Sequence, residues 1–419
     1  MPGQPAKDAI MDARTAQRAF VFIFCTRLLD AISFGLIVPV MPELLMTVGK
    51  MPLAEATRIG GWLFITYAAL QFLFGPLMGA LSDQFGRRPI IFLSLAAFAA
   101  DYLLLAAAPT LTWLFVGRAI AGIAGAVYAP ANAFAADITP PEQRGRMFGR
   151  LGAAFGLGFI IGPALGGLVG ELGPRAPFVL AAVLSAANLV FGYVVLPESL
   201  PADRRRKLDW SRANPLGGLL ALGRYGGVIG IILAYFLFSL AFNVYPGTWS
   251  YYTEAKFGWS SSMIGLSLMT SGVCMAFVQF VLTGPIIARL GEARAAMMAM
   301  GFAIVGCFAQ AFVSEGWMVF VLQPLICLQA LSFPTINALI RRRVSPREQG
   351  ALQGVMGSMT ALGSVFGPVM LTQVLAAFTE SGAPVYFPGA AFVLAGCLML
   401  VSLIALSLEL RRQTRSGVG

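Results

Sequence analysis

The sequence predicts an all-α membrane protein of twelve membrane-spanning helices, arranged as two pseudo-symmetric six-helix halves. Three observations carry that prediction. Of 419 residues, 58% are hydrophobic and only 11% charged, with a mean hydropathy of +0.78, far from the balance a water-soluble domain needs. Apolar runs of about twenty residues, enough for a helix to cross about 30 Å of hydrocarbon, recur twelve times between short loops rich in Pro, Gly and charge. Local features also recur at a single spacing of 205 residues, the mark of an internal duplication.

The runs fall near 18–46, 59–82, 89–108, 111–134, 146–170, 176–196, 226–251, 260–288, 294–313, 316–339, 348–376 and 384–408. The first contains Arg27 and Asp30 and has no small-residue cleavage site, which predicts a retained span and not a signal peptide. A strongly basic interior segment, 197–225, separates a first half (18–196) from a second (226–408). Tails at 1–17 and 409–419 complete the chain.

If the amino terminus is cytoplasmic, alternate loops and both tails hold 23 basic residues, against Lys50, Arg58, Arg175 and Lys256 on the other side. That asymmetry predicts a cytoplasmic (inner) membrane protein with both termini in the cytoplasm. The net charge of +10 is dispersed among these loops, which points to lipid headgroups and away from nucleic acid. Five scattered cysteines inside apolar runs and the absence of histidine predict no metal centre or disulfide framework.

The repeat pairs Gly79 with Gly284, Gly86 with Gly291, Asn132 with Asn337, Gly149 with Gly354, and Gly162-Pro163 with Gly367-Pro368. Between the second and third spans lies the connection Gly79-Ala-Leu-Ser-Asp83-Gln-Phe-Gly86-Arg87-Arg88-Pro89. Its glycines permit a tight turn and close helix approach, while its charges hold the loop at the membrane surface. The spacing is more demanding than a generic basic turn.

This connection resembles the signature loop of the major facilitator superfamily. Gly117-Arg118-Ala-Ile-Ala-Gly122-Ile-Ala-Gly125 is similar to that family's fourth-span motif, and Gly156-Leu-Gly158-Phe-Ile-Ile-Gly162-Pro163-Ala-Leu-Gly166-Gly167 to its fifth-span antiporter motif. Leu28-Leu29-Asp30, Pro39-Val40-Met41-Pro42, Asp101-Tyr102-Leu103-Leu104-Leu105-Ala106 and Gln349-Gly350-Ala351-Leu352-Gln353-Gly354 resemble the tetracycline/proton antiporters, as does almost the whole chain. The resemblance implies the major facilitator fold, a conformational gate at Gly79, Asp83, Gly86, Arg87 and Arg88, and roles for Asp30, Asp101 and Arg118. Three positions depart from the pattern. Val305 stands where a ninth-span aspartate is usual, no eighth-span histidine exists, and Arg27 replaces a small or apolar residue.

A carboxylate at membrane depth is costly and therefore a functional candidate. Only Asp30 and Asp101 fall well inside spans, so carboxylate-based proton handling is expected in the first half. Asp101 and Arg118 lie at similar distances either side of the Pro109-Thr110 turn, which predicts one depth and an ion pair. That pair could switch with protonation or be a permanent structural bridge, and Asp30 could be a hydrogen-bonded structural group. Tyr67 and Gln71 on one helix face, with Asn243, Gln279 and Gln323, are the expected lining of a substrate cavity; Gln329 is a further neutral polar group in the tenth span. Each amide could instead bond a neighbouring helix.

The reading is a proton-coupled secondary active exporter of small amphipathic or hydrophobic organic compounds, driven by the proton gradient without a cofactor and expected to be monomeric. Its partners are a small-molecule substrate, protons and membrane lipids. Export of a native metabolite, lipid or siderophore-like compound, or a transporter-like receptor or assembly factor, stand as alternatives. No nucleophile–base pair, metal cluster or phosphate loop points to an enzyme.

Overall fold

The computed structural model describes residues 13–207, 228–345 and 348–415. Residues 1–12 of the expected amino-terminal tail, 416–419 of the carboxy-terminal one and 208–225 of the expected central connection lie outside that set. The spans are α1 (Arg14–Gly49), α2 (Leu53–Phe85), α3 (Arg87–Ala107), α4 (Leu111–Asp137), α5 (Arg144–Gly170), α6 (Ala176–Val195) and α7 (Ile229–Phe257). Next comes a continuous helical run, Ser261–Phe312, of 52 residues. At 1.5 Å per residue it measures about 78 Å, more than twice a bilayer core. Gly291 interrupts it with φ 73° and ψ 164°, so it crosses twice, as α8 (261–290) and α9 (292–312). Then follow α10 (Gly316–Arg341), α11 (Gln349–Ala377) and α12 (Ala390–Arg415). Twelve crossings result among the described residues.

The duplication read from the sequence recurs in the backbone. Gly86 and Gly291, 205 residues apart, both take positive φ at the turn between neighbouring spans. The break in α1 at Val38–Val40 has its counterpart at Asn243 in α7. α4 loosens at Ala126 and Val127, and α10 does so through the 3-10 segment Cys327–Leu331. Pro163 and Pro368 stand inside α5 and α11, where the missing N–H and the ring bend a helix.

Within the first half α1 packs on α5 and α6, α2 on α4, and α3 on α4 and α6; within the second, α7 packs on α11 and α12, and α9 on α12. The halves meet along α5 with α8 and α2 with α11. Large apolar side chains such as Leu168, Val194, Phe280 and Phe312 remain exposed, as expected of helices whose outer faces meet lipid.

The two membrane faces differ in closure. We call the face on which α1 begins the basic face, and the other the far face. At the far face, Arg58 of α2 pairs with Glu380 after α11 at 2.9 Å, and Gln373 donates to the Arg58 carbonyl. The Ser262 amide of α8 donates to Glu171 after α5 at 3.3 Å, and hydrogen bonding from the Ser262 hydroxyl first, then from its amide, holds the Glu171 carboxyl below its usual pKa. Glycines let the helices touch there: a Cβ on Gly167 would lie 2.6 Å from the Ser261 carbonyl, and one on Gly265 2.3 Å from that of Pro163. Toward the basic face the same helices part. A Cβ on Gly145, Gly149, Gly152 or Gly156 of α5, or on Gly350, Gly354 or Gly357 of α11, would meet nothing within 4 Å. The molecule is closed at the far face and open at the basic face.

Candidate functional site

Asp101 and Arg118 meet in the first half. The short turn between α3 and α4 makes the helices antiparallel neighbours, and Arg118 Nη2 reaches Asp101 Oδ2 at 3.2 Å. Asp101 is 0% exposed. Its second oxygen, Oδ1, and Arg118 Nε are buried without partners. Gly117 makes the approach possible, because a Cβ there would fall 2.7 Å from Asp101 Oδ1. The Arg118 guanidinium also lies 5.9 Å from the Tyr67 ring centroid.

Asp30, on α1, does not pair with Arg27 one turn away. Arg27 instead lies over the Tyr128 ring at 4.2 Å, with Nε and Nη1 unpartnered. Gln71 donates to the Tyr67 hydroxyl and to the Gly125 carbonyl, both at 3.2 Å, so these two α2 side chains do share a face against α4. Tyr67 and Arg118 line a small cleft with Phe34, Gly60 and Tyr251.

The fifth-span glycines position α1 around Asp30. A Cβ on Gly158 would lie 2.6 Å from the Leu28 carbonyl, on Gly162 2.6 Å from that of Ile32, and on Gly166 2.3 Å from that of Leu36. These are backbone atoms that cannot rotate away. Pro163 Cδ packs against Gly35, and Gly167 faces α8. The motif therefore joins the Asp30 helix to the interface between the halves.

The loop between α2 and α3 forms a charge cluster around the buried Arg87 side chain. Arg87 donates to Ser82 Oγ at 2.7 Å, to Asp83, and to Asp137 of α4 at 3.4 Å. Glu198, just beyond α6, accepts from the Arg87 and Arg88 amides at 2.9 and 3.2 Å, an anion on a helix N-terminus. Arg88 reaches the Tyr193 carbonyl. Gly79 has only Ala129 near where a Cβ would stand, at 3.8 Å, whereas a Cβ on Gly86 would lie 2.3 Å from Glu198 Oε2, at φ 106°. Gly86→Ala is therefore expected to cost about 1–2 kcal/mol from the left-handed backbone alone, and to remain destabilising in a Glu198→Ala background. Thermal unfolding in detergent reads both. The second half repeats the cluster with its charges exchanged: Glu292 and Arg342, each 205 residues beyond Arg87 and Asp137, pair at 2.6 Å.

A cavity of about 710 Å³ lies between the halves, lined by Phe34, Phe159, Phe242, Tyr245 and Trp249 among others. Gln279 and Gln323 line it, as the sequence suggests. Asn243 does not have the expected place. Its Nδ2 donates to the Ser239 carbonyl at 2.8 Å, and its side chain faces Gly367 of α11, because the α7 break turns it into a helix–helix contact. Gln310 of α9 and Gln329 of α10 also line the cavity. Gln310 escaped the sequence reading, as did Glu198. An amide in an evenly apolar helix carries no signal of its facing, while Glu198 was hidden in the charge of the central connection.

The family model described as Major Facilitator Superfamily matches residues 23–242 and 231–418, one match per half. The chain belongs to the Major Facilitator Superfamily. Within this superfamily it is 37% identical to the tetracycline resistance protein, class C, of Escherichia coli, over 93% of this chain and 97% of that one. It is 33% identical to the class H protein of Pasteurella multocida, over 96% and 98%. Among solved structures, the human organic anion transporter MFSD10 (TETRAN) superposes with a TM-score of 0.69 at 25% identity, covering 96% of this chain and 100% of that one. As a major facilitator protein the chain is a multi-pass membrane transporter and not an enzyme. Val305, the departure in α9, is exposed and lies outside the cavity wall; the α9 group that does reach the cavity is Gln310.

Proposed function

We propose that this major facilitator protein exports small amphipathic or hydrophobic organic compounds in exchange for protons, by alternating access. The observation that carries the proposal is the Asp101–Arg118 pair: a fully buried carboxylate with one satisfied and one unsatisfied oxygen, whose arginine partner lines the small cleft beside Tyr67. Such a carboxylate has two competing states, bonded to the arginine or protonated, and both are near in energy only where water is scarce. Asp30 is the second proton-handling group, and the tetracycline resistance relatives support export as the direction.

The 23 basic residues of the basic face against four on the far face support a cytoplasmic location for the basic face and for both termini. The conformation described is then open to the cytoplasm. No cofactor enters the cycle, which the proton gradient drives, and one chain contains the whole path between its halves. Asp30→Asn tests the coupling. In proteoliposomes with an imposed pH gradient it is expected to abolish gradient-driven substrate uptake while leaving substrate binding and thermal stability near wild type. Full antiport by both Asp30→Asn and Asp101→Asn would overturn the proposal.

A further inference from the structure

The second-half wall of the central cavity is polar without being charged. Gln310, Gln323 and Gln329 are 1%, 2% and 5% exposed. Gln323 Nε2 donates to the Ser267 carbonyl at 2.8 Å. Yet the Oε1 atoms of all three, and Nε2 of Gln310, have no partner. Buried polar atoms are almost always satisfied, and four orphans at the wall of one cavity mark groups kept free for something that enters it. Three are acceptors and one is a donor, so the complement is a molecule richer in donors than acceptors. Tyr245 and Trp249, whose ring centroids lie 6.2 Å apart with planes tilted by 38°, line the same cavity and give an aromatic ligand aromatic neighbours.

Among the described residues, no side chain lining this cavity is charged. A cation entering it would lose water and gain no counter-ion. The opposite half offers no help: Asp101 is already engaged by Arg118, and neither it nor Asp30 lines this cavity.

We propose that this amide wall is a recognition site for uncharged aromatic compounds bearing several O–H or N–H donors, and that it disfavours permanent cations and metal chelates. The inference rests on the reading of the cavity as the substrate site and adds the substrate's chemical class. Discrimination follows from the wall itself: a ligand that satisfies the orphaned amides is held, whereas one that leaves them buried and unpaired is rejected.

Equilibrium binding to the purified full chain, followed by quenching of tryptophan fluorescence, tests this with three probes: chloramphenicol (neutral, with two hydroxyls and an amide N–H), ethidium (a permanent cation) and magnesium–tetracycline. Chloramphenicol is expected to bind saturably, and the other two at least about tenfold more weakly. Gln310→Leu and Gln323→Leu should each weaken chloramphenicol binding about tenfold. Gln310→Glu should strengthen ethidium binding by a similar factor, a gain that misfolding cannot produce. Ethidium or the chelate binding wild type as tightly as chloramphenicol, absence of saturable chloramphenicol binding, Leu variants of wild-type affinity, or no gain in Gln310→Glu would each overturn the proposal. Binding is measured without a pH gradient, so a failure of proton coupling would show in transport alone.

Discussion

Asp101→Asn is expected to abolish proton-driven transport and to lower stability, and restoring stability should not restore transport. Asp101 is fully buried and its Oδ2 accepts from Arg118 at 3.2 Å. The asparagine keeps the shape and removes the charge, leaving the guanidinium in a low-dielectric site where Nε already lacks a partner. Breaking a buried pair from one side costs about 3–5 kcal/mol. Removing both charges, as Asp101→Asn with Arg118→Gln, leaves two neutral hydrogen-bonding groups and should recover most of that loss. Thermal unfolding of the two single variants and the double variant isolates the interaction, and proteoliposome transport is read on the same preparations. A single variant as stable as wild type, or a double variant that transports, would show the pair to be neither buried electrostatics nor coupling machinery.

The second large effect separates folding from cycling. Gly166 on α5 is packed in the described conformation, 2.3 Å from the Leu36 carbonyl if it carried a Cβ, so Gly166→Leu should prevent the α1–α5 contact and yield no folded protein. Gly149, Gly152 and Gly156 on the same helix meet nothing within 4 Å. Gly152→Leu and Gly156→Leu should fold normally with the basic face open. Closing that face, however, must bring α5 against α8 there as closely as it approaches at the far face. Overpacking of about 1–3 kcal/mol confined to the closed form biases the equilibrium roughly 5- to 150-fold toward the open one. The expected result is retained binding with transport lost. Spin-label distances between the basic-face ends of α5 and α8 would show the open population rising; unchanged distances with normal transport would mean these glycines never enter a contact.

The sequence made the twelve crossings legible because apolar run length is a direct consequence of bilayer thickness. The Asp101–Arg118 contact was legible for a related reason: a three-residue turn fixes the relative depth of everything on a helical hairpin. Facing was harder to read. α7 is apolar on all sides, so nothing marked Asn243 as turned toward α11, and Gln310 on α9 was equally silent. The break at Asn243 was legible in part: Pro39 and Pro42 beside the first-half break and Pro246 beside its counterpart each remove a helical N–H and mark a bend, but they do not say which way the bend turns its neighbours. The loop cluster was half legible: Asp83, Gly86, Arg87 and Arg88 declare themselves by spacing, but Glu198 arrives from more than a hundred residues away, and local pattern cannot anticipate such a partner.

The exchanged charges of Arg87 with Asp137 and Glu292 with Arg342 bear on what a duplicated protein must keep and what it is free to change. The attraction in a bridge depends on the product of its two charges and not on which helix end carries which. Duplication has kept the bond at the same place in both halves while its polarity has been reversed in one. Exchanging Glu292 and Arg342 would give the second-half bridge the order of the first.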